Sequence, residues 1–257
     1  MTASMPSIFI SHGAPSIALE HDDFTRAASA FGATLAGARA IAIVSAHWQS
    51  RDLRINAVAR PETIYDFGGF SDALYQIRYE APGDPILARE IAALLGGVAL
   101  EAARGWDHGL WVPLRVLLPE ANVPIVEIAQ PYPTSPEQLI GIGHALAPLR
   151  DRGVVIIGSG GIVHNLRNIH LGDKTAPVDD WANEFDQWFA SHLAARDTTT
   201  LARYRDLAPH VSLAVPTPEH FEPLFVPLGA ARDTDHLTTI YEGFHYGNLS
   251  MRTFAFG

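Results

Sequence analysis

Five histidines stand where an apolar run ends or a new element begins: His12, His47, His108, His164 and His220. A neutral imidazole is a nitrogen donor for divalent metals and, near neutral pH, a general acid or base. Two or three of them with open coordination positions suit catalytic Zn(II) or non-haem Fe(II). The chain has no cysteine, so any metal must sit on nitrogen and oxygen, and disulfides, thiolate zinc sites and cysteine nucleophiles are excluded together. The five are too dispersed for a local finger-type site and can meet only through the fold. Spacing alone does not choose between hydrolysis and oxygen chemistry.

The elements that must position them can be read in order. Residues 7–10 form a short apolar run that stops at Ser11-His12-Gly13-Ala14-Pro15, a buried strand followed by a sharp turn. Residues 39–48 give a second apolar strand, also ending in histidine, at His47. If the two strands are parallel neighbours, both imidazoles reach one sheet edge, where open α/β sheets bind their ligands. His108 lies in a polar, aromatic loop, Gly105-Trp106-Asp107-His108-Gly109-Leu110-Trp111. The strand at 153–157 runs into Gly158-Ser159-Gly160-Gly161-Ile162-Val163-His164-Asn165. That turn lacks the Gly-x-Gly-x-x-Gly spacing and the Lys-Ser/Thr of a nucleotide loop, so its glycines are read as steric, letting backbone pass close to a ligand. In Thr217-Pro218-Glu219-His220, Thr217 is read as a helix cap and Pro218 as the first helical residue, which puts His220 in the first turn. The positive end of the helix dipole would keep it neutral. Neighbours on a helix diverge by about 100°, so Glu219 and His220 would not bind one ion together. Taken singly, each histidine is equally a hydrogen-bonded loop residue; the repeated placement argues for convergence.

Tyr65-Asp66-Phe67-Gly68-Gly69-Phe70 is a loop whose aromatics, Phe67 among them, can wall a pocket and whose glycines allow close backbone approach. A turn with core-packed phenylalanines reads the same. Helical spacing covers 23–35, 84–95 and 179–195, a capping box with proline opens a helix at 135–150, and 197–207 looks helical and polar. Further strands are read at 98–101, 123–129, 237–241 and 249–256, with a weak edge strand at 53–59. Strands alternating with helices over 257 residues predict an α/β fold: a single three-layer domain, residues 1–257, with a largely parallel or mixed central sheet flanked by helices. The net charge of -10, with no basic run, excludes a nucleic-acid surface and a polybasic membrane anchor. Neither a leader nor a membrane-length apolar run is present, which predicts a soluble, cytoplasmic protein. Nothing in the letters sets an oligomeric state.

The motifs around His12, Ser45-Ala46-His47-Trp48, the 65–70 loop, Trp106-Asp107-His108-Gly109, Gly158-Ser159-Gly160 with Val163-His164-Asn165-Leu166, and Pro216-Thr217-Pro218-Glu219-His220 follow one another in a familiar order. Together they resemble the class III extradiol ring-cleavage dioxygenases, in the DOPA 4,5-dioxygenase branch, over nearly the whole chain. The resemblance implies a catechol cleaved at an Fe(II) site with both atoms of O2 entering a ring-opened semialdehyde. It implies His12, His47 and His220 as metal ligands, His164 as the acid/base histidine and in some relatives a further ligand, and His108 beside the oxygen and substrate. His245 and Tyr246, in the closing Glu242-Gly-Phe-His-Tyr-Gly-Asn-Leu-Ser250 motif, are candidates for the pocket wall, with solvated loop as the plainer reading. Arg167, Arg115 and His245 are cations that could meet a substrate carboxylate. Zn(II) can occupy such a site in purified protein, because it outcompetes Fe(II) at nitrogen donors. Two competitors use the same histidines: a zinc hydrolase and a metal-binding homologue without activity.

Overall fold

Strands that are apolar at nearly every position need cover on both faces. The structure, a computed structural model, describes residues 4–257; the first three residues of the N-terminal stretch read above lie outside the described residues. One mixed sheet contains β1 (Ser7–Ser11), β2 (Ala40–Ser50), β3 (Arg54–Asn56), β4 (Ala99–Glu101), β5 (Ile125–Pro131), β6 (Val154–Gly160) and β7 (Leu237–Tyr241). After β8 (Phe244–His245) and β9 (Leu249–Ser250), which pair with each other, β10 (Thr253–Phe256) completes it. The spatial order is β4-β3-β5-β2-β6-β1-β10-β7. β5, β2, β6 and β1 run parallel, and β10 returns antiparallel beside β1.

Alternate residues of these strands feed two cores. Ile8, Ile10, Ile41, Ile43, Val155 and Ile157 pack under α1 (Asp23–Gly32) and, further along the chain, the helix His108–Leu117. Phe9, Ala42, Val44, Val126 and Ile156 face the opposite layer, which includes the helices Pro85–Leu94, Pro136–Leu146 and Asp180–Ala194. The three-layer α/β expectation is borne out.

Several local expectations change. Residues 53–59 are not an edge: β3 lies between β4 and β5, because the three-residue β4 adds on outside it. β2 does not stop at His47. Its register with β5 steps from Val44↔Ile128 to Gln49↔Gln130, so β2 advances further than β5 over the same stretch and the surplus bulges. Ser45, Ala46, His47 and Trp48 occupy that bulge, which turns His47 out of the ladder. The loop expected at His108 is already helix, with Asp107 as its cap through a 3.1 Å bond from the Leu110 N–H. No helix begins at Thr217. Residues 217–221 form turns closed by Phe221 and Glu222 N–H groups on the Pro218 carbonyl, and the Thr217 hydroxyl donates to Glu219 at 2.7 Å instead of capping. The run 249–256 is two strands, not one.

One glycine fixes where His220 can be. A Cβ on Gly160 would sit 1.9 Å from the His220 carbonyl oxygen, the same oxygen that accepts the Gly161 N–H at 2.8 Å. The steric reading of the glycine-rich turn is therefore right, although what passes close is this chain's own backbone. The paired Gly68 and Gly69 differ: nothing lies within 4 Å of either Cβ position, and only Gly69, with φ +80°, needs glycine for its conformation. Gly160→Ala is expected to push the His220 turn off the sheet, at a stability cost of about 1–3 kcal/mol and with a loss of divalent-metal affinity, read by thermal melting and metal titration of the same sample. Unchanged affinity would mean the turn is not held by this contact.

Candidate metal centre

The carboxyl ends of β1, β6 and β2 lie side by side, and each delivers part of the site. His12 follows β1 and extends its ladder, its N–H bonding the Gly160 carbonyl at 3.1 Å. His47 projects from the β2 bulge, and His220 comes in on the turn that crosses Gly160. The Nε2 atoms of His12 and His47 are 3.3 Å apart, and one ring nitrogen from each of His12, His47 and His220 lies within 4.8 Å of the others.

The other nitrogen of each ring is spoken for. His12 Nδ1 donates to Ser159 Oγ at 3.2 Å, because that hydroxyl has already given its own proton to the Gly109 carbonyl. His220 Nδ1 donates to Glu219 Oε1 at 3.1 Å, and His47 Nδ1 faces Asp66 Oδ2 at 3.5 Å. An oxygen beside each Nδ1 favours the proton there, which would leave Nε2 as a bare lone pair in all three, the tautomer a metal requires. Nitrogen donors about 2.0–2.1 Å from one ion and 90–109° apart would be separated by about 2.8–3.4 Å, which brackets the observed His12–His47 spacing. The donor set thus fits a divalent metal. Glu219 takes no place in it. It stands behind His220 as the partner of Nδ1, and this carboxylate, not a helix dipole, is what fixes that ring.

Two more imidazoles lie against these rings. His164 stacks flat on His220, with centroids 3.6 Å apart and planes 6° apart, and shares no position in the converging set. The His108 ring lies 3.8 Å from His47, its Nδ1 is 3.0 Å from Asp66 Oδ1, and the Phe67 ring meets it edge-on at 5.5 Å. Phe67 in turn packs among Phe70, Tyr75 and Trp111. All five histidines singled out in the sequence therefore converge.

His245 and Tyr246 are placed elsewhere. His245 is buried, not a solvated loop residue, with its Nε2 3.4 Å from Asp22 in a cluster that also holds Glu20. Tyr246 takes a left-handed turn conformation, φ +54°, and its N–H bonds the Lys174 carbonyl. Among the described contacts neither reaches the five imidazoles. Arg115 binds the Ala18 carbonyl, and Arg167 is exposed.

Sequence reasoning passed over the groups that aim these rings. Ser159, Asp66 and Glu219 all sit inside quoted motifs, yet their letters carry no mark of pointing at a histidine. Behind His47, Arg104 donates to the His47 carbonyl at 3.2 Å and to Asp107 at 2.6 Å, and Asp107 accepts the Ser45 hydroxyl at 2.7 Å. Glu127 shares that one cation. Burial and the facing Asp107 push its carboxyl well above the usual range, while Arg104 pulls it back down.

A three-layer α/β domain with three oriented imidazoles at the carboxyl edge of its parallel strands is the architecture of a metal-dependent enzyme. Residues 6–254 match the family described as the catalytic LigB subunit of aromatic ring-opening dioxygenase, and the chain belongs to that family. It is 36% identical to a protein of Escherichia coli (strain K12) named 4,5-DOPA dioxygenase extradiol, over 98% of this chain and 95% of that one. It is 37% identical to a protein of the same name from Beta vulgaris, over 97% and 96% of the two chains. The crystal structure of an uncharacterized protein from Escherichia coli K12 superposes with a TM-score of 0.84 at 33% identity, covering 98% of this chain and all of that one (100%). The extradiol dioxygenase reading of the motifs is borne out. No helix among the described residues is long and apolar enough to cross a membrane.

The site is poised for metal by its protonation state. Burial lowers His12 well below the ordinary histidine range, and the facing His47, His220, His108 and His164 lower it further. Burial, then His108 and His220, take His47 down to about 3, and burial followed by His220 lowers His164 well below its usual value. These imidazoles need shed no proton to bind a cation at neutral pH. The unfolded chain, with histidines near 6.5, binds more protons than the folded one below that pH, so stability must fall as pH drops from about 6.5 toward the folded values. Glu127, raised by folding, acts in the opposite sense above its ordinary range. The check is therefore comparative: thermal midpoints of metal-free wild type and His47→Gln between pH 7.5 and 5, with the variant expected to lose less. Parallel profiles would mean that His47 protonates as freely folded as unfolded.

Proposed function

We propose that the protein is a metal-dependent extradiol dioxygenase that opens a catechol ring of the DOPA type, with Fe(II) held by His12, His47 and His220. The observation that carries the reading is the set of three imidazoles that bring one ring nitrogen each within 4.8 Å of the others, with further imidazoles lying against two of those rings. A ferrous ion bound there would bring catechol and O2 together and carry electron density between them. The family match and the names of the similar proteins support the reaction class.

The chain's own groups divide the remaining work. His164 is neutral before substrate arrives, so it can accept a proton from a catechol hydroxyl, and as imidazolium it can return that proton when the O–O bond breaks. Its stack on His220 holds it beside the ligand set without occupying it. His108 stands on the far side of His47, where a ring N–H can hydrogen-bond the oxygen that enters. Phe67, edge-on to His108, offers an apolar wall for the aromatic ring. The balance is one catechol plus one O2 to one ring-opened product. The bond beside the diol breaks, and one oxygen atom ends in the new carboxylate and the other in the aldehyde.

Protein reconstituted anaerobically with Fe(II) is expected to consume one O2 per DOPA or catechol and to form a yellow ring-opened product. Zinc-loaded protein that hydrolyses esters while the ferrous form leaves a panel of catechols intact would favour the hydrolase instead. In the same assay His164→Ala should retain metal but lose at least about 100-fold in turnover; turnover within a few-fold of wild type would remove His164 from proton transfer.

A further inference from the structure

We propose that Asp66 is the positioning residue of this site, a single carboxylate that sets the tautomer of the metal ligand His47 and the orientation of His108 at the same time. The inference rests on the metal-centre reading above and extends it to a residue outside the ligand set. Asp66 Oδ2 lies 3.5 Å from His47 Nδ1, and Oδ1 lies 3.0 Å from His108 Nδ1. Oδ1 also accepts the His108 backbone N–H at 2.9 Å. The buried His108 Nδ1 is off the line of a good hydrogen bond, so its contact with Asp66 is electrostatic, and the backbone bond is what fixes the carboxylate in place.

Other groups around His47 cannot take over this role. Asp107 is committed to the Ser45 hydroxyl, the Leu110 N–H and Arg104. Ser159 and Glu219 serve the Nδ1 atoms of His12 and His220. Asp66 thus completes the set of Nδ1 partners, and it is the one shared between a ligand and a non-ligand. Its setting also differs: Ser159 is fully buried in β6, whereas Asp66 belongs to a loop pinned by the Tyr65 hydroxyl on the Ile77 carbonyl, one residue before the Phe67 wall. Contact of a ring with Phe67 and the aim of His47 are therefore mechanically adjacent.

The chemistry makes a sharp distinction between substitutions. A carboxylate presents an acceptor to each imidazole. An asparagine presents one acceptor and one NH2 donor. With its oxygen kept by the His108 N–H, its NH2 would face His47 Nδ1 and demand a lone pair there. The His47 proton would then move to Nε2, where the metal should bind. Asp66→Ala leaves Nδ1 to water and imposes no such demand. A role in packing or loop shape ranks the two variants the other way, since asparagine is nearly the shape of aspartate.

The test is titration of the metal-free wild type, Asp66→Asn and Asp66→Ala with Co(II), followed by its visible absorption, with Zn(II) competition and thermal melting as controls for folding. Expected is a 10–100-fold loss of affinity in Asp66→Asn, at least as large as in Asp66→Ala, with an altered Co(II) spectrum. At saturating Fe(II), turnover on a catechol should also fall while KM changes by only a few-fold, the share that acts through His108. Affinity in Asp66→Asn within twofold of wild type, or clearly better than in Asp66→Ala, overturns the assignment. The metal titration needs no substrate, so it stands even if no catechol is opened; in that case the failure belongs to the proposed reaction and not to Asp66.

Discussion

Two ring nitrogens brought within 3.3 Å of each other, Nε2 of His12 and Nε2 of His47, are the constraint around which the site is built. Nδ1 of His12 is hydrogen-bonded to Ser159 and Nδ1 of His47 faces the Asp66 carboxylate, so both rings are drawn to keep their proton on the side away from the other. Burial removes the water that would otherwise soften the repulsion, and it also keeps the rings from taking up protons to relieve it. A cation placed between them would take a lone pair from each ring. The folded chain thus carries the cost of organising its ligands before any ion arrives, which is the condition for tight binding with little rearrangement.

Meeting that constraint depends on strand order. β6 lies between β1 and β2, so the His12 and His47 backbones are two strands apart and the rings must converge over the end of β6. The β6 end must then be free of side chains in the wrong place. Gly160 supplies this, and so does Gly109 on the helix side, where a Cβ would fall 2.6 Å from the His47 ring. The β2 bulge adds the remaining rotation, with Ser45 Oγ accepting the His47 N–H at 3.2 Å and passing its own proton to Asp107. Small residues at the crossing and a polar net behind it work as one device.

This explains what the sequence disclosed and what it hid. The three-layer class and the convergence of five histidines were readable, because buried parallel strands are apolar throughout and their ends carry the chemistry. The way His220 is held was not. Thr217-Pro218 has the letters of a helix start, but the turn across Gly160 takes precedence over local propensity, and Thr217 spends its hydroxyl on Glu219. His47 looked like a strand terminus because a bulge has no signature in apolar alternation. The partners Ser159, Glu219 and Asp66 stayed hidden for a different reason: one lies 147 residues from its histidine and one is its immediate neighbour, so no common spacing exists to be read.

The two imidazoles outside the ligand set are alike in position and unlike in restraint, and that contrast carries the division of labour proposed for them. Each lies against a ring of the candidate metal set, His108 on His47 and His164 on His220. His108 is the first residue of a helix capped by Asp107, with its backbone tied to Asp66, so its ring has little freedom. His164 is tied through its backbone N–H to the Ala214 carbonyl, but its ring makes no hydrogen bond among the described residues and is held only by the stack. A group that must take up and surrender a proton benefits from having neither nitrogen committed in advance, whereas a group that must mark a fixed position for a small diatomic benefits from a backbone that cannot shift. The proposed roles, proton transfer at His164 and oxygen placement at His108, are supported by this difference in restraint.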